Sequence, residues 1–483
     1  MSARSTHAAS TQQTALIVEP NSSGIGLVDA AQRLGLRPHV FDRKPVAELP
    51  AQVRAAVHAG SADYTRVEIR DLPTALRASR ELAARTDLVA VVPGYEYAVD
   101  TCAHLAQDLG LPGLAPDVVG ALRDKKRMKE VLAAAGVLVA RNRLVGTDAD
   151  PVAVLADVGV PAVLKPVDGS GSQYVRRVDD AAELADYFAE VAANPIEDYG
   201  KLLGPSLLAE SYVQGPEYSV EGYVENTGAG PRVHVLAVTE KQLGPEPTFV
   251  EVGHAVDAPV SPAERERLVD TAQRAVRALG ITVGCFHLEA RLTPAGPCVM
   301  EVGARLGGDR IPWLVQAVWG ADMWELAVRS FAGLPQPARP AREVPQGAAG
   351  VRFFSVEEQS RFDDPDGLLA RLLQVEGCIE AEVTAAAGAV LRPAVDLHSR
   401  FGHIALAAPS RAALEQRIAE VDRYVRESVR TPVATTASPS SSPSSSPSSS
   451  YAPTPSFTAV PTYAYAAAGT GTGAPVTITA CAV

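Results

Sequence analysis

Residues Cys285–Pro312 read CFHLEARLTPAGPCVMEVGARLGGDRIP, and this stretch limits the fold more tightly than any other. Two apolar runs, Gly284–Leu292 and Pro297–Gly303, alternate with polar positions and are joined by a loop holding Thr293, Pro294 and Gly296. Alternation at period two around a Pro/Gly connector predicts a β-hairpin. Each strand carries one acid in an apolar setting, Glu289 in the first and Glu301 in the second. A hairpin brings them side by side, where two unpartnered carboxylates repel and one takes up a proton. A hard divalent cation between them removes the conflict, because such ions take oxygen ligands. The plainer alternative is two strand carboxylates on a solvated face. Arg305 follows Glu301 by four residues, and Gly307-Gly308 leave room for a ligand against backbone.

The rest of the chain bounds what such a hairpin can serve. Its 483 residues suffice for about three domains, and 47% hydrophobic with 21% charged residues is ordinary for a soluble globular protein. The net charge of −12 opposes nonspecific nucleic-acid binding, so no nucleic-acid partner is expected, although a local basic pocket for a nucleotide is compatible. The five cysteines, Cys102, Cys285, Cys298, Cys378 and Cys481, are scattered without CxxC spacing, which argues against a disulfide framework or zinc site and fits a reducing cytoplasm. The start, MSARSTHAASTQQ, has no apolar leader core, and no apolar run has transmembrane length. The expectation is a cytoplasmic protein without a membrane partner, led in by a disordered segment over residues 1–13.

Residues 14–112 read as a small open α/β domain: strand Ala15–Val18, helix Ile25–Leu34, strand Arg37–Phe41, strand Leu88–Pro93 and helix Ala98–Leu109. Gly24 and Gly26 do not complete a dinucleotide fingerprint. Its plain reading is a scaffold. Tyr95 and Glu96 lie just past a strand's C-terminal end, where open α/β sheets hold ligands, and are candidate substrate contacts. Asp124–Gly136 predicts a helix with Lys125, Lys126 and Arg127 in its first turn. Pro161–Val167 predicts a strand with Lys165 inside an apolar run, a costly position unless the charge is paired or used. The loop Asp168–Val175, rich in Gly and Ser, follows at once and can fold over phosphates. It is not a Walker A sequence, because the lysine precedes the loop.

Leu207–Val224 predicts two strands about a Gly-Pro turn, and Val233–Thr239 a further strand. Phe249–Pro259 precedes a helix over Pro262–Leu279, and Trp313–Ala332 reads as one helix with Trp313 in the core. Gly347–Arg430 reads as a further α/β segment with strands Gly350–Phe354 and Ala405–Ala407 and a helix over Leu414–Val429. From Thr431 the composition turns to Ser/Pro and then to Ala, Thr, Gly and Pro, and residues 431–483 read as a disordered tail.

The pattern Glu289…Glu301-x-x-x-Arg305-x-Gly307-Gly308, preceded in order by the Lys125 helix, the Lys165 strand with its flap and a hinge with an acid, resembles the ATP-grasp carboxylate–amine ligases. It is most similar to their L-amino-acid ligase, dipeptide-forming branch, and the resemblance spans about residues 14–430. It implies an α/β ATP-grasp fold: an N-terminal open α/β domain over 14–112, a small lobe with the flap over 113–206, and a large lobe with C-terminal subdomain over 207–430. It implies ATP and Mg²⁺ as cofactors, with one or two ions and Mn²⁺ as a substitute. Lys125, Lys165 and the flap residues Gly169, Ser170, Gly171 and Ser172 would contact phosphates. Glu210, Tyr212 and Val213 would border adenine, and Glu217 the ribose. Glu289 and Glu301 would hold metal, with Glu251 approaching it. Arg305 would be catalytic, and Gly307, Gly308, Asp309 and His254 would face substrate. A loop histidine bonded to backbone is the plainer reading of His254. Asp309 could pair with a substrate ammonium.

The resemblance implies ATP-dependent joining of a carboxylate and an amine, both small molecules and both amino acids, through an acyl phosphate; a homodimer is compatible. Many members carry Asn where this chain has Gly303, so either one metal would be held less tightly, or Glu251 or water would complete its shell, and a single-metal site is a further alternative. Two other readings stand beside it: another reaction of the same superfamily, such as a biotin-carboxylase-like or purine-pathway step, and an ATP-binding module without turnover.

Overall fold

A computed structural model describes residues 12–198, 201–227 and 230–430. The expected tail over 431–483 and most of the expected lead-in lie outside these residues. The lead-in ends sooner than expected, because Gln13 already opens the first strand and pairs with Asp87.

The N-terminal domain is a four-stranded parallel sheet in the order Asp63–Arg66, Arg37–Asp42, Gln13–Val18, Asp87–Pro93. Ala15, Leu16, Ile17 and Val18 are fully buried, as a strand covered on both faces requires. The turns after the first and last strands touch: a Cβ on Gly24 would lie 1.8 Å from the carbonyl oxygen of Gly94. Only glycine permits that approach, and it fixes the Tyr95–Glu96 turn at the sheet's C-terminal edge. The expected helix Ile25–Leu34 divides into a 3-10 turn, Ser22–Ile25, and an α-helix, Gly26–Arg33. Helix Ala98–Leu109 lies where the sequence places it and stops at left-handed Gly110.

The small lobe is an antiparallel sheet in the order Asn142–Val145, Leu207–Ser211, Ala162–Pro166, Arg176–Val178. Helices Pro151–Val158 and Ala181–Ala193 cover its apolar face. Strand Leu207–Ser211 is central here, so the lobe ends after Ser211 and not at 206 as the sequence reading had it. In front of this sheet runs helix Lys125–Ala134, capped by Asp124, whose side chain accepts from the backbone N–H groups of Lys126 and Arg127.

The large lobe is an eight-stranded sheet. Its order is Gly296–Gly303, Gly284–Thr293, Glu217–Thr227, Gly230–Leu243, Glu251–Val256, Ala348–Phe353, Gly402–Ala408, Cys378–Val383. The C-terminal segment therefore extends the same sheet, and helix Arg411–Ser428 packs on it. A second core forms there around Phe354, Phe362 and Phe401, with Phe362 fully buried; each such ring contributes about 1.5–3 kcal/mol of burial. Helix Pro262–Ala278 starts with a capping box between Ser261 and Glu264. The single helix expected over Trp313–Ala332 is two, Ile311–Trp319 and Met323–Phe331. Gly320 turns left-handed at φ 67° and ends the first, and the Asp322 carboxylate caps the second. No described helix is long and apolar enough to cross a membrane.

Candidate active site

The hairpin forms as Gly284–Thr293 and Gly296–Gly303, and its register sets Glu289 directly opposite Glu301. Both side chains face a cleft between the two lobes, which Lys125, Lys165, Glu210, Glu217, Lys241 and the flap Gly169–Ser172 also line. The charges are matched in a definite pattern. Lys241 is buried, with Nζ 2.7 Å from Glu289, 2.9 Å from Glu217 and 3.5 Å from Glu251. Burial works against its charge, but Glu217, Glu289 and Glu251 outweigh it and hold its pKa well above the usual lysine range. Burial alone would raise the Glu289 pKa; Lys241 and His287 instead hold it well below the ordinary carboxylate range. Lys125 sits at the first helical position after its cap, and its Nζ bonds the carbonyl oxygen of Gly169 at 2.6 Å and meets Glu301 at 3.1 Å.

On the small-lobe side Lys165 is 8% exposed and lies 2.8 Å from Glu210, which also meets the buried Lys129 at 3.2 Å. Burial opposes the charge of Lys165, and Glu210 more than compensates, so its pKa is raised. For Lys129 burial wins and the pKa falls. The Glu210 side chain is thus committed to two lysines, and its residue pairs with both Asn142 and Val163 in the sheet. Tyr212, expected beside adenine, is not among the residues lining the cleft. Its ring lies against Arg177 and Arg291, its hydroxyl bonds Glu246 at 2.6 Å, and its N–H donates to Pro161. Val213 does line the cleft, with Val163, Phe249 and Met300 giving an apolar end, and Arg291 ties the Val213 carbonyl (2.8 Å) to Glu217 (2.9 Å).

At the other end the cleft continues into a second chamber bordered by Ser22, Tyr95, Glu96, Arg305, Gly308, Asp309, Arg400 and His403. Glu96 bonds Arg305 Nε at 2.5 Å and also pairs with Arg123. Burial would raise its pKa, but Arg305 and Arg123 together bring it down to about 2. This pair explains Gly303: a Cβ there would stand 3.2 Å from Glu96 Oε2 and 3.4 Å from the Arg305 guanidinium carbon. The space that a side chain at 303 would need is filled by the arginine and its acid. Asp309 accepts from both terminal nitrogens of Arg400 at 2.8 Å and lies 3.2 Å from His254 Nε2. Its carboxylate is already neutralised, which removes the ground for reading Asp309 as the partner of a substrate ammonium. His254 is held by that side chain and stands on strand Glu251–Val256, not in a loop. Asp309 and Arg310 both have positive φ, 52° and 66°, and the Asp309–Arg400 and Arg310–Glu380 pairs hold that strained turn.

A buried pair lies behind the hairpin. His287 Nδ1 meets Glu221, fully buried, at 2.9 Å, and its Nε2 meets Glu289 at 3.1 Å. Gly307 crosses this pair closely, since a Cβ there would lie 2.9 Å from Glu221 Oε2.

The structure thus gathers Lys125, Lys165, Gly169–Ser172, Glu210, Val213, Glu217, Glu251, Glu289, Glu301 and Arg305 along one cleft, with Gly308, Asp309 and His254 in the adjoining chamber. Sequence reasoning missed Lys241, His287, Arg291, Arg123 and Arg400, and left Glu221 without a role. Lys241 follows the apolar run Val235–Val238 within strand Gly230–Leu243, but Thr239 and Glu240 stand between, so its sequence carries no clear local signal.

The donor set fits Mg²⁺. Glu289 and Glu301 supply hard oxygens from adjacent strands. Among the described residues no three or more Asp, Glu, His or Cys side chains gather as a self-contained metal site. Mg²⁺ is commonly held by one or two carboxylates, with phosphate oxygens and water completing its shell.

The ATP-grasp domain family matches residues 158–312, and the L-amino acid ligase C-terminal domain 2 family matches residues 352–430. The chain is 31% identical over 412 residues to the uncharacterized protein y4rH of Sinorhizobium fredii, covering 83% of this chain and 79% of that one. It is 31% identical over 345 residues to carnosine synthase 1 of Gallus gallus, covering 68% of this chain but only 36% of the synthase. The crystal structure of an L-amino acid ligase from Bacillus licheniformis superposes with a TM-score of 0.68 at 24% identity, over 87% of this chain and 98% of that one. That likeness establishes the fold.

Proposed function

We propose that this chain, which belongs to the ATP-grasp ligases, joins a small-molecule carboxylate to an amine, both from amino acids, at the expense of ATP. The observation that supports this most is the continuity of one cleft. Its apolar end at Val213 and Phe249, its charged middle at Lys125, Lys165, Glu289 and Glu301, and its second chamber beyond Arg305 follow one another.

Adenine lies at the apolar end and the ribose hydroxyls reach Glu217. Lys125 and Lys165 meet the phosphates, and the flap Gly169–Ser172 covers them. Glu289 and Glu301 would hold Mg²⁺, which when bound supplies charge neutralisation at the phosphate oxygens. The substrate carboxylate in the second chamber attacks the γ-phosphorus in line, giving an acyl phosphate and ADP. Such transfer needs positioning and charge neutralisation more than a protein nucleophile. Arg305, held by Glu96, presents its remaining donors to the carboxylate and then to the acyl phosphate. The amine attacks the acyl carbon, loses a proton and releases phosphate. Lys241, gripped by three acids, keeps the carboxylates ordered before nucleotide arrives.

The test is phosphate release from ATP and Mg²⁺ over pairs of amino acids, with products weighed by mass spectrometry. The reading expects ADP formation that needs both partners and a product equal to their sum less water, lost in Glu301→Gln. ADP formation driven by bicarbonate alone would favour a carboxylase reaction instead.

A further inference from the structure

Outside the charges that the reaction uses, one fully buried carboxylate gathers four partners from three separate parts of the chain. Asp198, on the short strand Glu197–Asp198 of the small lobe, is 0% exposed. It accepts from Ser170 Oγ on the flap and from the Tyr97 hydroxyl. Gln173 Nε2, at the flap's far end, lies 3.4 Å away, and His398 Nε2 lies 3.8 Å away. Tyr97 belongs to the N-terminal domain, where it immediately precedes helix Ala98–Leu109. His398 belongs to the 3-10 turn Leu397–Ser399 of the C-terminal subdomain.

The opposite side of the flap is gripped by the same turn. Leu397 sits on Gly171, where a Cβ would fall 2.0 Å from Leu397 Cδ2, and its N–H points to the Gly171 carbonyl at 3.4 Å. Gly171 is left-handed at φ 64°, so glycine serves both the turn and the close contact. Two residues beyond this turn's centre, Arg400 holds Asp309 at the edge of the second chamber. A buried carboxylate is costly unless its oxygens are bonded. Here the flap supplies part of that bonding, so the closed position of the flap is the one that satisfies Asp198.

We propose that Asp198 is a positioning residue that clasps the flap shut, and that the turn Leu397–Ser399 makes this closure depend on the subdomain bordering the second chamber. The purpose of the clasp, keeping water from the acyl phosphate, rests on the proposed reaction; the clasp itself does not. Closure of this kind excludes water from a reactive intermediate.

The experiment uses the full chain and two variants, Asp198→Asn and Leu397→Ala. Hydrogen exchange is followed without ligands in peptides covering residues 169–175, with peptides from strand Gln13–Val18 as the internal control. The clasp predicts flap exchange faster by about tenfold in both variants, a loosening typical of losing one local contact set, with the control peptides unchanged. It also predicts that phosphate released per amide formed rises several-fold above the wild-type ratio. Should Asp198→Asn fail to fold, Leu397→Ala decides alone. Unchanged flap exchange overturns the clasp, even if the wild-type protein forms no amide. Faster exchange with an unchanged phosphate-to-amide ratio overturns the water-excluding purpose assigned to the clasp.

Discussion

Glu289 stands opposite Glu301 across the hairpin, yet each carboxylate already has a lysine, Lys241 at 2.7 Å and Lys125 at 3.1 Å. The repulsion that a facing pair of acids creates is therefore relieved by the protein's own cations before any metal arrives. A divalent ion must compete with both lysines, and the phosphates of a nucleotide would draw those lysines away. Mn²⁺ binding, followed by electron paramagnetic resonance, should be weak in the protein alone and at least about tenfold tighter with ADP present. Equal affinity with and without ADP would show that the lysines do not guard the site.

Glu210 is the single acid between two buried lysines, Lys165 and Lys129. Removing one partner of a buried pair leaves an uncompensated charge and costs about 3–5 kcal/mol. Glu210→Gln should lower the unfolding free energy from urea titration by that amount, and the midpoint with it, whereas Glu225→Gln, on a partly exposed pair with His234, should lower it by less than about 1 kcal/mol. Similar midpoints for the two variants would contradict the arrangement.

Stability should fall in acid through Glu96. Its pKa lies near 2 against an ordinary value of 4.5, because Arg305 and Arg123 outweigh burial. A depressed carboxylate stabilises the fold above its unfolded pKa and loses that contribution as pH falls through its folded one. The loss runs from about pH 4.5 down to about 2 and amounts to about 3 kcal/mol. Glu96→Gln should flatten the stability profile in that window, as read by denaturant titration at a series of pH values.

Gly303 is a place where a side chain should do harm. An Asn there would displace Glu96 or Arg305, which already stand within 3.4 Å of the missing Cβ. Gly303→Asn should reduce kcat/KM for the carboxylate by about tenfold or more while leaving the ATP KM within about twofold. An improved metal affinity with undiminished turnover would argue that the position merely lacks a ligand.

The hairpin, the Lys165 strand and the flap were legible because each writes its structure locally: alternation around a Pro/Gly connector, a lysine stranded in an apolar run, glycines beside serines. Lys241, His287 and Arg400 were not, because their meaning is cross-strand. Lys241 acquires its role only when Glu217 pairs with it in the register and Glu289 is delivered from another strand. Arg400 reaches Asp309 from a different subdomain. The direction of the Tyr212 ring, toward Arg177 and Arg291, was not legible either, since a strand's end shows which residues lie there but not which way each ring turns. The break in the helix expected over Trp313–Ala332 was written in Gly320 and Asp322, and apolar periodicity on either side concealed it.

The most direct test of the central claim is isotope transfer. The carboxylate substrate found in the product screen would be prepared with ¹⁸O in both oxygens and turned over with ATP and its amine partner. An acyl phosphate requires that one labelled oxygen leave with phosphate for each amide formed, so the account predicts one ¹⁸O in the released phosphate and one in the product. Unlabelled phosphate for each amide formed, with the departing ¹⁸O recovered in water or in the nucleotide, would contradict it.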